Sequence, residues 1–153
     1  GITIVLITHE MQVIREICDQ VVVIEKGEIL ESGQVWSVFS NPEQPITQEL
    51  LNLEQLDLPF TVYPEKDNAV SHTILKLKYA SEARHSPDLA QILNRFGHSV
   101  HLYQSHIDTI QNHLVGTLII GVSDLDIDLQ KLQQQLKNQI AHVEVLGYAR
   151  PTH

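Results

Sequence analysis

The sequence predicts an α+β protein centred on an antiparallel four-stranded sheet with helices on one face, and three observations carry this. Between Val100 and Val122, two extended runs flank a polar stretch, Thr109 to His113, which is the pattern of a β-hairpin. A helical pattern stands on each side of it: Leu89, Ile92, Leu93 and Phe96 before, and Leu129, Leu132, Leu136 and Ile140 after. Beyond each helix lies one more strand pattern. Thr73, Leu75, Leu77 and Tyr79 alternate along the first, with Lys76 and Lys78 on its other face, and Val143, Val145 and Leu146 lead to Tyr148 in the last. The order β-α-β-β-α-β is the ferredoxin-like arrangement. Its second sheet face is left open, and an apolar face on a domain this small favours pairing with another copy.

Each element has a local reason. Ser86-Pro87-Asp88 reads as a helix start, with a hydroxyl cap, proline at the first helical position and an acid near the positive end of the dipole. Gly97 is expected to stop that helix. Asp124 to Asp128 supply caps and acids for the second helix. Upstream, Thr3 to Ile7 is a continuous β-branched run of the kind found in strands covered on both faces. Met11, Ile14, Ile17 and Cys18 then recur at helical spacing, which makes Cys18 a buried helix residue. Val21 to Glu25 and Glu28 to Ser32 form two strands joined at Lys26-Gly27, and Gly33 is expected to break the second. Val35, Val38 and Phe39 mark a short helix that ends before Asn41-Pro42. A further helix starts near Pro45 and carries Leu50, Leu51 and Leu53. Residues 54–70 lack periodicity and contain Leu58-Pro59, Tyr63-Pro64 and Asp67-Asn68, so they read as an extended linker between 1–53 and 71–150.

Composition narrows the function classes. The chain has 153 residues, 10 basic and 19 acidic, for a formal charge of -9. Binding to nucleic acid or to an anionic lipid surface needs a basic face, so neither is expected. The single cysteine cannot form an internal disulfide, which fits a reducing compartment. No apolar run approaches the ~20 residues that span a bilayer, and no signal peptide is evident. The chain opens without Met inside a strand-like run, so it is expected to be the C-terminal part of a longer protein. Nine histidines raise a metal reading. His98, His101 and His106 lie close in sequence and His85 could approach them, but metal-ligand spacing is lacking. On a regular strand His101 and His106 face opposite sides, and no metal site is expected.

His9 lies at the end of the first apolar run, where open α/β sheets bind ligands. The run Ile7-Thr8-His9-Glu10-Met11 is followed by Ile17-Cys18-Asp19, a Val run, and Lys26 to Gly33. Together these residues closely resemble the end of an ABC-transporter ATPase domain. The resemblance implies that His9 is the switch-loop histidine that contacts the γ-phosphate of ATP, and that Asp19 is the acid opening the next strand. A phosphate-binding loop and a magnesium-holding acid would also be needed, and the sequence contains no Gly-x-x-x-x-Gly-Lys-Ser/Thr. This chain is therefore expected to be no enzyme and to hold no cofactor. ATP and magnesium would belong to an intact ATP-hydrolysing parent, and 1–53 cannot complete an ATPase sheet alone.

Glu31-Ser32-Gly33-Gln34-Val35, Val38-Phe39 and Asn41-Pro42 followed by Thr47 are similar to the methionine-importer branch. In that branch the ATPase is followed by a NIL domain, a ferredoxin-like module resembling ACT domains. Asp108 with Ile110, Val115-Gly116-Thr117-Leu118 and Val143 to Tyr148 match its strands. The name-giving Asn-Ile-Leu falls at His101-Leu102-Tyr103, where the sequence departs from the pattern. The resemblance implies a homodimer in which cytoplasmic L-methionine, or a related amino acid, binds between paired NIL domains and inhibits ATP-driven uptake. It also implies a permease partner and a peripheral place on the cytoplasmic side of the cell membrane. Strand alternation puts His101, Tyr103, Ser105 and Ile107 on one face, and Leu102, Gln104, His106 and Asp108 on the other. The expected ligand-binding residues are His101, Leu102, Tyr103, Ser105 and Ile107. Tyr103 and Ile107 supply an apolar slot for a thioether, and His101 holds the polar end. The departure at His101 leaves a second reading open, a dimerisation module without a ligand.

Overall fold

The computed structural model describes residues 1–51, 57–66, 72–82, 86–96, 99–123 and 128–150. The chain divides into two compact units, Gly1–Leu56 and Asp57–His153.

The first unit contains α1 (Met11–Ile17), β1 (Gln20–Glu25), β2 (Glu28–Gln34), α2 (Val35–Ser40) and α3 (Pro45–Leu50). Lys26 and Gly27 both take positive φ, 51° and 84°, the backbone of a two-residue hairpin turn whose twist matches its strands. Val35, Val38 and Phe39 bury one face of α2 beside Ile14 and Val23. Glu31 fixes the start of α3: its carboxylate accepts from the Glu43 and Gln44 amides and, at 2.7 Å, from the Thr47 hydroxyl.

Three expectations for this unit are corrected. Thr3 to Ile7 forms no strand, and Ile4 is 85% exposed. A strand needs a neighbour for its backbone groups, and among the described residues none pairs with this run. Cys18 is the half-buried cap residue after α1 rather than a buried helix position, because the chain turns extended there. Gly33 does not break β2, which continues to Gln34 and pairs Gly33 with Val21.

The second unit holds β3 (His72–Glu82), α4 (Leu89–Asn94), β4 (Val100–Ile110), β5 (His113–Val122), α5 (Leu129–Leu136) and β6 (His142–Ala149). Its sheet is wholly antiparallel in the order β4-β5-β3-β6, which is the ferredoxin-like topology. One face carries the main core. Leu75, Leu77 and Tyr79 of β3 and Leu118, Ile120 and Val122 of β5 pack with Ile92, Phe96, Leu132, Leu136 and Ile140. Ile140 follows α5 rather than belonging to it, but its amide still donates to the Leu136 carbonyl and its side chain stays buried.

The helix caps differ from expectation at one end. Asp88, not Ser86, caps α4 by accepting from the Gln91 amide, which leaves Pro87 before the cap rather than inside the helix. Asp128 caps α5 through the Gln130 and Lys131 amides. Gly97 and Asp124 lie outside the described residues. The hairpin turn is tighter than its sequence suggests. Only Gln111 and Asn112 turn, at φ 50° and 63°, and Thr109, Ile110 and His113 belong to the strands.

The stretch read as a linker contributes to the sheet. Leu58, Phe60 and Val62 pack against Ile74, Ile119 and Ala149 on the face away from the helices, the face expected to be open. Tyr63 pairs with Tyr148 through two backbone hydrogen bonds of 2.8 Å each. Gly147 admits this strap: its φ is +143°, and a Cβ there would collide with the Tyr63 carbonyl. Burial outweighs the absence of periodicity here, because apolar residues at alternate positions 58, 60 and 62 need only a sheet to lie on. No helix among the described residues is long and apolar enough to cross a membrane.

Leu118→Ala, at a fully buried site, should cost about 2–5 kcal/mol in chemical denaturation, whereas Leu102→Ala, at a half-exposed site, should cost less than about 1 kcal/mol.

Candidate functional site

The candidate residues lie on β4, an edge strand, and one irregularity sorts them. The register against β5 runs Val100↔Val122, His101↔Gly121 and Leu102↔Ile120, then jumps to Gln104↔Ile119. Tyr103 is the extra residue of a β-bulge. A bulge shifts the side-chain alternation by one, so everything after it changes face.

His101 and Gln104 therefore share the sheet face opposite the helices, and His106 and Asp108 share it too. The Tyr103 ring lies on this face as well, packed over Gly121, where a Cβ would come within 2.5 Å of it. Leu102, Ser105 and Ile107 share the other face, with Leu102 and Ile107 exposed. This corrects the sequence reading, which grouped His101, Tyr103, Ser105 and Ile107 by simple alternation. The proposed pairing of Tyr103 with Ile107 in one slot does not form. His101 and His106, expected on opposite faces, lie on the same one. Among the described residues no three His, Cys, Asp or Glu side chains gather as metal ligands.

The structure adds His72, which periodicity could not single out because it opens β3. It is buried, with Nδ1 3.2 Å from the Tyr103 hydroxyl and Nε2 2.9 Å from the Ser123 hydroxyl. Ser123 continues to Ser99 at 2.9 Å. The His72 ring stacks on His101 at 5.0 Å between centroids and 14° between planes, and His101 lies 6.3 Å from Tyr103. Phe60 closes the other side of Tyr103 edge-on at 4.6 Å.

Burial and the neighbouring His101 hold the His72 pKa below its usual 6.5, so the ring is neutral and offers one donor and one acceptor nitrogen. Burial pushes the Tyr103 phenol upward and keeps it protonated. Gln104 Oε1 is buried on the same face with no hydrogen-bond partner among the described residues. The site thus offers stacked imidazoles, a phenol and a buried amide oxygen, set over Ile74 and Ile119, which the 58–62 stretch and Tyr103 already cover. Its polar groups are of the kinds that hydrogen-bond carboxylates and ammonium groups. His9 lies in the first unit with its side chain 91% exposed, 3.9 Å from Glu10.

A histidine with a depressed folded pKa binds its proton more readily in the unfolded chain. Its contribution to stability is therefore complete above pH 6.5 and is lost as pH falls toward the folded value. Unfolding free energy measured from about pH 7.5 to about pH 5 should fall less steeply in His72→Gln than in wild type. Parallel profiles would contradict this placement of His72.

Residues 73–145 match the NIL domain family. Along its whole length the chain is 69% identical to the methionine import ATP-binding protein MetN 1 of Acinetobacter baylyi, of which it spans 43%. It is 36% identical over 97% of its length to the methionine import ATP-binding protein MetN of Francisella tularensis subsp. holarctica, of which it spans 44%. The chain thus spans less than half the length of these relatives. Residues 73–145 are a NIL domain, in a chain similar from end to end to methionine import ATP-binding proteins.

Proposed function

We propose that this chain is the regulatory region of a methionine importer's ATP-binding subunit, and that it binds L-methionine or a related amino acid between two paired NIL domains. The observation that carries this is the bulge, which gathers His101, Tyr103 and the Gln104 oxygen, unpartnered among the described residues, on one face of an edge strand. An imidazole and a phenol can donate to a carboxylate, and the amide oxygen can accept from an ammonium.

Pairing is supported by the β4 edge, beside which no other described strand lies. Laid antiparallel on a second copy about Ser105, with the bulge absorbed, β4 sets His101 opposite the partner's Asp108 and Leu102 opposite the partner's Ile107. Both pairs match, one as an imidazole N–H facing a carboxylate and one as exposed apolar residues.

In the intact protein, the phosphate-binding loop and the magnesium-holding acid would lie outside the residues present here, and His9 would serve as the switch-loop histidine. The protein would sit at the cytoplasmic side of the cell membrane on a permease. A ligand site formed only when domains pair favours the state that pairs them. Moving that equilibrium from 1:99 to 99:1 takes about 5.5 kcal/mol of differential affinity. Holding the ATPase domains apart in the paired state would slow uptake when the internal pool is full. A second reading, dimerisation without ligand, is favoured by the strap, because Phe60 already covers one side of Tyr103.

Calorimetry on the chain separates the readings. Methionine should bind, and His101→Ala should weaken it by about tenfold or more, the loss of one hydrogen bond to a charged group. Gln104→Met removes the orphaned oxygen at similar volume, so the ligand-free protein should keep or gain stability while methionine affinity falls. Absence of heat with methionine and related amino acids, alongside a concentration-dependent dimer, would leave the dimerisation reading standing.

A further inference from the structure

Tyr103 has no cross-strand partner, because it is the residue the bulge leaves over. The direction of its ring is therefore set by its surroundings. Gly121 leaves room beneath it, His72 Nδ1 holds its hydroxyl at 3.2 Å, and Phe60 meets its edge at 4.6 Å and 72°. That geometry is a favourable edge-to-face aromatic pair. Gly121 and His72 belong to the sheet. Phe60 belongs to the strap at 58–63, which precedes the stretch matched by the NIL family.

The strap has few anchors. Leu58, Phe60 and Val62 lie half-buried on the sheet face, and the Tyr63–Tyr148 pair fastens one end. Such a segment, with a small apolar contact and one pair of backbone bonds, opens at lower cost than the strands beneath it. In sequence it is also the described stretch that follows residues 1–51.

We propose that Phe60 is a positioning residue for Tyr103, and that seating of the 58–63 strap is coupled to the ordering of the His72–Tyr103 site. Coupling of this kind is reciprocal: whatever fixes Tyr103 holds the strap down, and whatever lifts the strap loosens Tyr103. The strap then carries the state of the sheet-face site toward the preceding part of the chain. The link to an amino-acid ligand rests on the methionine reading above, whereas the coupling between strap and site does not.

Native-state amide exchange on the whole chain tests both. The Tyr63 and Tyr148 amides donate across the strap junction and report its opening. The Leu75 and Leu118 amides, in the two central strands, report global opening. Tyr103→Ala and Phe60→Ala should each speed exchange at Tyr63 and Tyr148 by about tenfold or more, with Leu75 and Leu118 changing by less than about twofold. Phe60→Ala should also shift the His72 ring-nitrogen resonances, a change that loss of distant packing would not cause. Phe60→Leu keeps apolar cover without the aromatic edge, and should show the same pattern more weakly if the alanine variants prove too unstable. Unchanged exchange at Tyr63 and Tyr148 in Tyr103→Ala, or an equal acceleration at all four amides, would overturn the coupling. Added methionine should slow exchange at Tyr63 and Tyr148 in wild type. Binding without that protection would overturn the role of the strap in carrying ligand state. An absence of binding would sink the methionine reading, and the variants would still decide the coupling.

Discussion

One extra residue in an edge strand decides how this domain presents its chemistry. Without the bulge at Tyr103, strand alternation would put His101 and Gln104 on opposite faces, and Tyr103 would take a regular place in the register. With it, His101, Tyr103 and Gln104 share the face away from the helices, where His72 of β3 stacks on His101 and meets the Tyr103 hydroxyl. The bulge is tolerable because its neighbours accommodate it. Gly121 gives the Tyr103 ring room, and the ring gains a hydrogen bond and an aromatic contact that a regular strand position would not provide. Bulges at sheet edges commonly redirect a side chain toward a site, and this one has that effect.

The rest of the second unit makes the irregularity sustainable. The helix-facing core is regular and deep, with Leu75, Leu77, Leu118 and Ile120 fully buried at aligned positions of the two central strands. That core holds the register of β5, against which the bulge is defined. The opposite face grades from an apolar end to a charged one. Ile74, Ile119 and Ala149 lie under the strap, whereas Lys76 and Lys78 pair across with Glu144 and His142. Burial and the neighbouring Lys76 lower the Lys78 pKa, and Glu144 acts against them.

Much of this was legible in the sequence, and the failures are instructive. The order of elements, the hairpin, the apolar stripes of both helices and the Lys26-Gly27 turn all follow from periodicity and turn chemistry. The resemblance to NIL domains rests on strands that the structure also forms. The bulge was not legible, because it leaves no compositional mark in His101-Leu102-Tyr103-Gln104, and alternation alone then assigned Ser105 and Ile107 to the wrong face. The strap was missed because residues 57–66 show no helical or strand period long enough to weigh, although Leu58, Phe60 and Val62 do alternate. His72 was missed because a polar residue at a strand's first position looks like a boundary, and only its three-dimensional neighbours reveal its burial. The Thr3 to Ile7 run misled in the opposite sense. Its composition suits a covered strand, but among the described residues nothing lies beside it.

The arrangement of this sheet face depends on the placement of the Tyr103 ring, and one measurement reads it directly. In the ligand-free chain, nuclear Overhauser contacts from the Tyr103 ring protons should reach the Phe60 ring, the Gly121 α-protons and the His72 ring. Contacts from the Tyr103 ring to the Ser105 side chain, in place of those to Phe60 and Gly121, would show a β4 without the bulge, with the regular alternation that the sequence alone suggests.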